Sequence, residues 1–227
     1  MVRPILIEEL FELNNKLSPR FDGDIIVIDD IFKNYNDIFE ICNNAVVEQW
    51  KTDNSDKARN FKDYYDCRLK LINNFPDYSK VALRLNTLIK ILSHYFKENP
   101  NNILAEKKLE FNYFKHIKKD VPINMQHFPH FDEYYNVIFY IDKFENGGTA
   151  LYEYADIVNR EEQNLMYDVS KLKIKKLIKS KPNRCVIFNG SNLHGAYIEN
   201  HNIYRDNWRI NMANFLQSNA QEAWLPE

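Results

Sequence analysis

The stretch HFPHFDEYYNVIFY (residues 127–140) decides how this chain is read. It packs His127, His130 and Asp132 into six residues and then runs into an apolar segment with strand character. In an extended chain, side chains two apart share a face, so His130 and Asp132 converge on one point while Phe131 turns away. That spacing lets a strand edge chelate a single ion. His127 lies five residues from Asp132 and falls on the other face of a regular strand. Pro129 also interrupts pairing between it and His130, so His130 is preferred as the ligand. Alone, the triplet is weak. In a chain with six histidines, two polar residues at a strand end are the simpler explanation.

More follows downstream. A site built of two histidines and one carboxylate needs a distant third ligand on a neighbouring strand, with the remaining metal positions open. NRCVIFNGSNLHGAYI (183–198) offers one: an apolar strand, a turn containing Gly190, then His194 opening the next strand beside Gly195. A buried, satisfied histidine is the plainer alternative, but a histidine flanked by glycine after a tight turn is less typical of a core. Farther on, Arg209 sits inside the apolar run WRINMANFL (208–216). A buried guanidinium must meet an anion or bear a heavy desolvation cost. Its partner is either an internal carboxylate or a substrate carboxylate gripped by two parallel hydrogen bonds. Arg205, in a polar loop, is the rival candidate.

The rest of the chain sets the frame. It has 227 residues, 44% of them hydrophobic and 14% aromatic, enough for one sizeable core and suited to strands. One domain over 1–227 is expected. Residues 1–107 form mainly helical support with early strands, 108–217 a β-core, and 218–227 a tail. Helices are expected over 5–17, 37–51 and 78–98, the last with Val81, Leu85, Leu88, Leu92 and Tyr95 at helical spacing. Strands are expected at 24–32, 108–117, 135–142, 149–154, 172–178, 184–189, 194–198 and 207–216. Helices first and strands second point to an α+β chain with helices packed on a β-sandwich or barrel. Only five glycines occur, and four lie in the strand-rich half, where positive φ or close approach would require them.

Composition also excludes classes. The net charge of −2 gives no global basic field for nucleic acid, although KLKIKKLIKSK (171–181) is a local exception best read as a strand with a solvated lysine face. Cys42, Cys67 and Cys185 are scattered, form no CxxC, and suit a reducing compartment. Acidic residues interrupt the N-terminal stretch where a signal peptide has its apolar centre, and no apolar run approaches a membrane span. A cytoplasmic protein with no membrane partner is expected. Ser191 lies near His194, but no nucleophile elbow surrounds it, and Cys185 falls mid-strand.

Taken in order, these motifs resemble the Fe(II)- and 2-oxoglutarate-dependent oxygenases, most of all their prolyl-4-hydroxylase-like branch. PHFD (129–132), NVIFYIDKFENGGTALYEY (136–154), KPNRCVIFNGSNLHGAYI (181–198) and WRINMANF (208–215) carry the likeness, which covers about half the chain. LEFNYFKHI (109–117) is similar to the opening strand of the family, whose tyrosine contacts the cosubstrate; Tyr113 falls there.

The resemblance implies a double-stranded β-helix of the jelly-roll or cupin kind with N-terminal supporting helices. It implies Fe(II) held by His130, Asp132 and His194, 2-oxoglutarate held by Arg209 or Arg205 with Tyr113, and O2 as co-reactant. It implies hydroxylation of an unactivated C–H bond, of an amino-acid or peptidyl substrate such as a prolyl residue or of another small molecule. Retention of Asp132 favours hydroxylation over halogenation. The interval from His194 to Arg209 is longer than the commonest version of the motif, and the segment 155–181 exceeds a minimal hairpin. Two alternatives remain: a catalytically silent member of the fold that binds a ligand or partner, and a differently metallated β-helix protein.

Overall fold

The computed structural model describes residues 12–40, 43, 64–70, 90, 91, 94, 103–105, 110–116, 129–132, 135–153, 172–200, 202–207 and 209–218. Eleven strands occur among the described residues: β1 (Pro19–Asp22), β2 (Ile25–Ile28), β3 (Tyr64–Lys70), β4 (Ile103–Ala105), β5 (Glu110–His116), β6 (Tyr135–Tyr140), β7 (Gly148–Tyr152), β8 (Ile174–Lys179), β9 (Arg184–Asn189), β10 (His194–Tyr197) and β11 (Arg209–Ser218).

They form two antiparallel sheets. The larger runs β1-β2-β9-β6-β11-β5-β3, with β4 paired to the far end of β11, and the smaller runs β10-β7-β8. The two sheets close on each other as a jelly-roll-like core. Tyr140, Val186 and Phe188 of the large sheet pack with Ile25 and with Leu151 and Ile178 of the small one. Strand alternation then defines an inner row facing this core. On β6 it is Asn136, Ile138 and Tyr140, opposite Phe188, Val186 and Arg184 of β9 and Phe215, Ala213 and Asn211 of β11. The reverse face of the large sheet is covered in part by residues 31–38, where Phe32 packs on Phe139 with ring centroids 5.3 Å apart.

The seven strands expected from residue 108 onward are all present, with ends shifted by a few residues. The expected strand 24–32 is shorter, Ile25–Ile28. β1, β3 and β4 were not anticipated. The N-terminal helices are the part that differs. Residues 35–40 are helical, as are positions 43, 90, 91 and 94, and the remainder of 37–51 and 78–98 lies outside the described residues. Residues 12–17 of the expected helix 5–17 are not helical. There Asn14 N donates to Ile31 O at 2.9 Å and Lys33 N to Glu12 O at 2.9 Å, so pairing with the 31–33 segment takes the backbone groups a helix would use. No helix among the described residues is long and apolar enough to cross a membrane.

The glycine pair has a structural reason. Gly147 has φ +82° and Gly148 φ +147°. A Cβ on Gly147 would overlap the Tyr197 carbonyl, and one on Gly148 would overlap the Ile178 carbonyl and come within 2.7 Å of Ser180 N. The pair lets the start of β7 lie tightly between β10 and β8. Gly190 and Gly195 show no positive φ; Gly190 instead offers its carbonyl to Asp132 N at 2.9 Å.

Candidate metal centre

His130 and His194 are brought together by one isolated antiparallel bridge. Each N–H donates to the other's carbonyl, at 2.8 and 3.0 Å. Phe131 and Asp132 lie beyond this bridge and outside any strand, so the His-x-Asp pair converges through two anchors. One is the bridge at His130; the other is the bond from Asp132 N to Gly190 O. The turn after β9 therefore holds both the carboxylate and the histidine that follows it.

The liganding atoms of His130, Asp132 and His194 lie within 4.8 Å of one another. Asp132 Oδ2 is 3.2 Å from His194 Nε2 and 3.6 Å from His130 Nε2. His194 Nδ1 donates to the Asn192 carbonyl at 2.8 Å, which leaves the Nε2 lone pair directed at the other two ligands. The Phe188 ring meets the His194 ring edge-on at a centroid distance of 4.9 Å and walls the site on its core side. His194 is buried, Asp132 partly buried and His130 half exposed, so the site opens to solvent on the His130 side.

The electrostatics suit a cation. Burial opposes ionisation of Asp132, but the pull of the neighbouring His130 and His194 imidazoles outweighs it and holds the carboxyl far below its ordinary range. Burial pushes the His194 imidazole down, against the pull of Asp132, which favours the neutral form a metal needs. Two imidazole nitrogens and one carboxylate oxygen on one side of a common point fit a divalent transition metal with open positions.

A second polar group lies farther along the inner row. Arg209 opens β11 and is only 5% exposed. Its Nη2 donates to Gly148 O at 3.2 Å, and with its carboxamide oxygen turned inward Asn211 accepts from Nη1 at 2.6 Å. Among the described residues no carboxylate comes within ion-pair distance of this guanidinium. Asp142 lies in its field, but the carboxylate accepts from Phe144 N at 2.9 Å, Ile210 N at 3.3 Å and Tyr204 OH at 3.5 Å. Burial pushes Asp142 up to about 6, against the attraction of Arg209. Beside them Tyr140 OH and Thr149 Oγ1 share a 2.8 Å bond. Gly148, which touches Arg209, and Leu151, which pairs with His194, are three residues apart on β7. That is about 10 Å of strand.

The other candidates are placed as follows. Tyr113 of β5 is opposite Ile210, whereas Phe114 is opposite Arg209, so the register sets Tyr113 one position off the Arg209 row. Arg205 lies in the helical turn Ile203–Asp206 and not in a strand. His127 and residues 154–171 lie outside the described residues. Cys185 is fully buried mid-strand, where burial pushes its thiol up and away from nucleophilic use. Three lysines of the basic stretch are paired: Lys173 meets Glu153 at 2.8 Å, Lys176 meets Asp22, and Lys181 reaches Asp29 at 3.7 Å. Asn136 escaped the sequence reading. It is a buried amide on the inner row of an otherwise apolar strand, and its Nδ2 contacts two of the three candidate ligands. Its polar type at an alternating inward position was the available clue.

No protein-family model matches this chain, and no curated protein sequence does. Solved structures do match. The epimerase SnoN, in complex with Fe3+, alpha-ketoglutarate and nogalamycin RO, is 12% identical with a TM-score of 0.54, over 86% of this chain and 79% of that one. The non-heme alpha-ketoglutarate-dependent carbocyclase SnoK from nogalamycin biosynthesis is 10% identical with a TM-score of 0.51, over 86% and 79%. HygX from Streptomyces hygroscopicus, with nickel and 2-oxoglutarate bound, is 13% identical with a TM-score of 0.50, over 86% and 83%. The chain shares their fold. At these identities the likeness speaks for architecture, and the chemistry rests on this chain's own residues.

Proposed function

We propose that this protein is an Fe(II)- and 2-oxoglutarate-dependent dioxygenase that hydroxylates an unactivated C–H bond. The observation that carries the proposal is a pair of features on one inner face. One is the convergent His130, Asp132 and His194; the other is a buried Arg209 whose hydrogen bonds, among the described residues, go to neutral acceptors. A metal-binding module needs the first and has no use for the second. Asp142 acts on the guanidinium without pairing with it directly, so a buried guanidinium lacking a paired anion fits a ligand that brings a carboxylate. Arg209 and His194 meet β7 three residues apart, roughly 10 Å of strand, a span that a five-carbon dicarboxylate and the two side chains could bridge together. The shared fold with proteins solved with alpha-ketoglutarate or 2-oxoglutarate bound supports the same reading.

In this mechanism His130, Asp132 and His194 hold the metal on one side and leave the His130 side open. When bound, iron and 2-oxoglutarate supply the oxidising power by which O2 couples decarboxylation to hydroxylation. Asn192 fixes the tautomer of His194, and Phe188 keeps water from its core side. Arg209 pairs with the far carboxylate, with Asn211 holding the guanidinium plane. Tyr140 OH and Thr149 Oγ1 are the nearby hydroxyls that orient the bound dicarboxylate.

For the substrate, the prolyl-4-hydroxylase-like likeness implies a free or peptidyl amino acid. The SnoN complex with nogalamycin RO favours a small natural product as the second reading. Anaerobic titration with Fe(II) and then 2-oxoglutarate tests the core proposal. The wild type should give the visible charge-transfer band of the chelated pair; His130→Ala should abolish it and Arg209→Ala weaken it. A folded protein that binds Fe(II) yet gives no band would overturn the proposal. Succinate release then screens the two substrate classes.

A further inference from the structure

Asn136 does something the metal reading alone does not require. Its Nδ2 lies 2.7 Å from Asp132 Oδ2 and 2.8 Å from His194 Nε2. A carboxamide nitrogen has two hydrogens, and both are spent on liganding atoms. The Asn192 carbonyl only accepts, so His194 Nδ1 carries the ring proton and Nε2 offers its single lone pair. That lone pair receives the Asn136 N–H. A metal would use the same lone pair, so the two cannot hold it together. The reversed amide is disfavoured, because Oδ1 would then face the Asp132 carboxylate. The amide thus places positive hydrogens between a carboxylate and an imidazole, as a cation would. The cost is visible at its other end: Asn136 Oδ1 is buried with no hydrogen-bond partner. Phe188 and Phe215, opposite Asn136 on the flanking strands, offer only rings.

We propose that Asn136 is a cation surrogate. It holds Asp132 and His194 in their liganding arrangement when no metal is bound, and it competes with the incoming metal for His194 Nε2. On loading, the amide gives up Nε2 and keeps Asp132. Asn136 is therefore a positioning residue that sets how readily the site fills. The inference rests on His130, Asp132 and His194 being a metal site and is independent of 2-oxoglutarate.

The test uses Zn(II), a diamagnetic stand-in, with the full chain. Asn136→Leu keeps the branched side-chain shape and removes both donors; Asn136→Ala serves if the leucine does not fold. Either should bind Zn(II) roughly two- to tenfold tighter, the worth of one neutral hydrogen bond no longer surrendered on loading. In the wild type, the Asn136 side-chain amide resonances, assigned by triple-resonance experiments, should move on Zn(II) addition as one hydrogen loses its acceptor. A wild type that binds Zn(II) with unmoved amide resonances, or variants that bind it no tighter, would overturn the surrogate role and leave the metal site standing. Absence of Zn(II) binding in every form would overturn both. Failure of 2-oxoglutarate binding in a zinc-competent protein would touch only the proposed function.

Discussion

Replacing Gly148 by alanine should be among the most damaging single-methyl changes in this chain. Two costs add. The φ of +147° belongs to a region essentially reserved for glycine, worth about 1–3 kcal/mol to any other residue. The added Cβ also overlaps the Ile178 carbonyl and crowds Ser180 N, and both are backbone atoms that cannot rotate away. Overpacking of this kind costs another ~1–3 kcal/mol. The sum, roughly 2–6 kcal/mol, is a large fraction of the ~5–15 kcal/mol that holds a typical domain together. Gly23 provides the matched control. It sits at the turn joining β1 and β2 with φ +64°, yet a Cβ there meets nothing within 4 Å. Gly23→Ala should therefore cost only the conformational part, about 1–2 kcal/mol. Urea unfolding of both variants measures the difference: the Gly148→Ala midpoint should fall well below that of Gly23→Ala with unchanged slopes. Equal midpoints would refute the claim that close approach of β8, and not φ alone, demands glycine at 148.

Three further outcomes are expected. Arg209→Met should lower 2-oxoglutarate affinity of the metal-loaded protein by ~30-fold or more while Zn(II) affinity stays unchanged, read by calorimetry; unchanged 2-oxoglutarate affinity would count against Arg209. Asp142 binds its proton more tightly in the folded protein, at about 6, than at its ordinary value of 3.8. Its contribution to stability is whole below the lower value and is lost as pH rises through the higher. Relative to Asp142→Asn, the wild type should therefore lose up to about 3 kcal/mol between pH 4 and pH 7, and a pH-independent difference in urea unfolding would contradict this. Zn(II) at a hundredfold excess over its Kd should stabilise the fold by about 2.7 kcal/mol, a rise in Tm of roughly 5–10 °C. His194→Ala should show none of that rise.

The strand-rich half was legible because its segments combine β-branched or aromatic runs with turn chemistry, as in RCVIFN before Gly190. β1, β3 and β4 were not. PRFD is a short, exposed edge strand, ILA has three residues, and YYDCRLK mixes charge and aromatics without alternation. Their strand character comes from partners far away in sequence, as when β3 pairs along the whole of β5. The triad was readable from its spacing, although the reason given was incomplete. Two strand positions alone do not aim His130 and Asp132 together. The bridge to His194 and the bond to Gly190 do, and both depend on how the chain closes. Asn136 showed only as a polar residue at an alternating inward position, and its contacts with Asp132 and His194 depend on the same closure.

The inner face carries polar groups that a purely structural sandwich would not need. β11 lies between β6 and β5 in the large sheet, and β6 lies between β11 and β9. Part of their inner row is buried, and apolar side chains at those positions would stabilise the fold best. Yet the row carries Arg209, Asn211, Asn136 and Tyr140, all at most 6% exposed. Each polar group there lowers stability unless something satisfies it. Tyr140 is satisfied by Thr149. Arg209 has neutral acceptors where a cation favours an anion, and Asn136 points its hydrogens at groups that favour a metal. Drift toward a merely structural β-sandwich would replace such residues with leucine or valine at a gain in stability. Their joint presence on one face is what a site for a metal and a dicarboxylate requires.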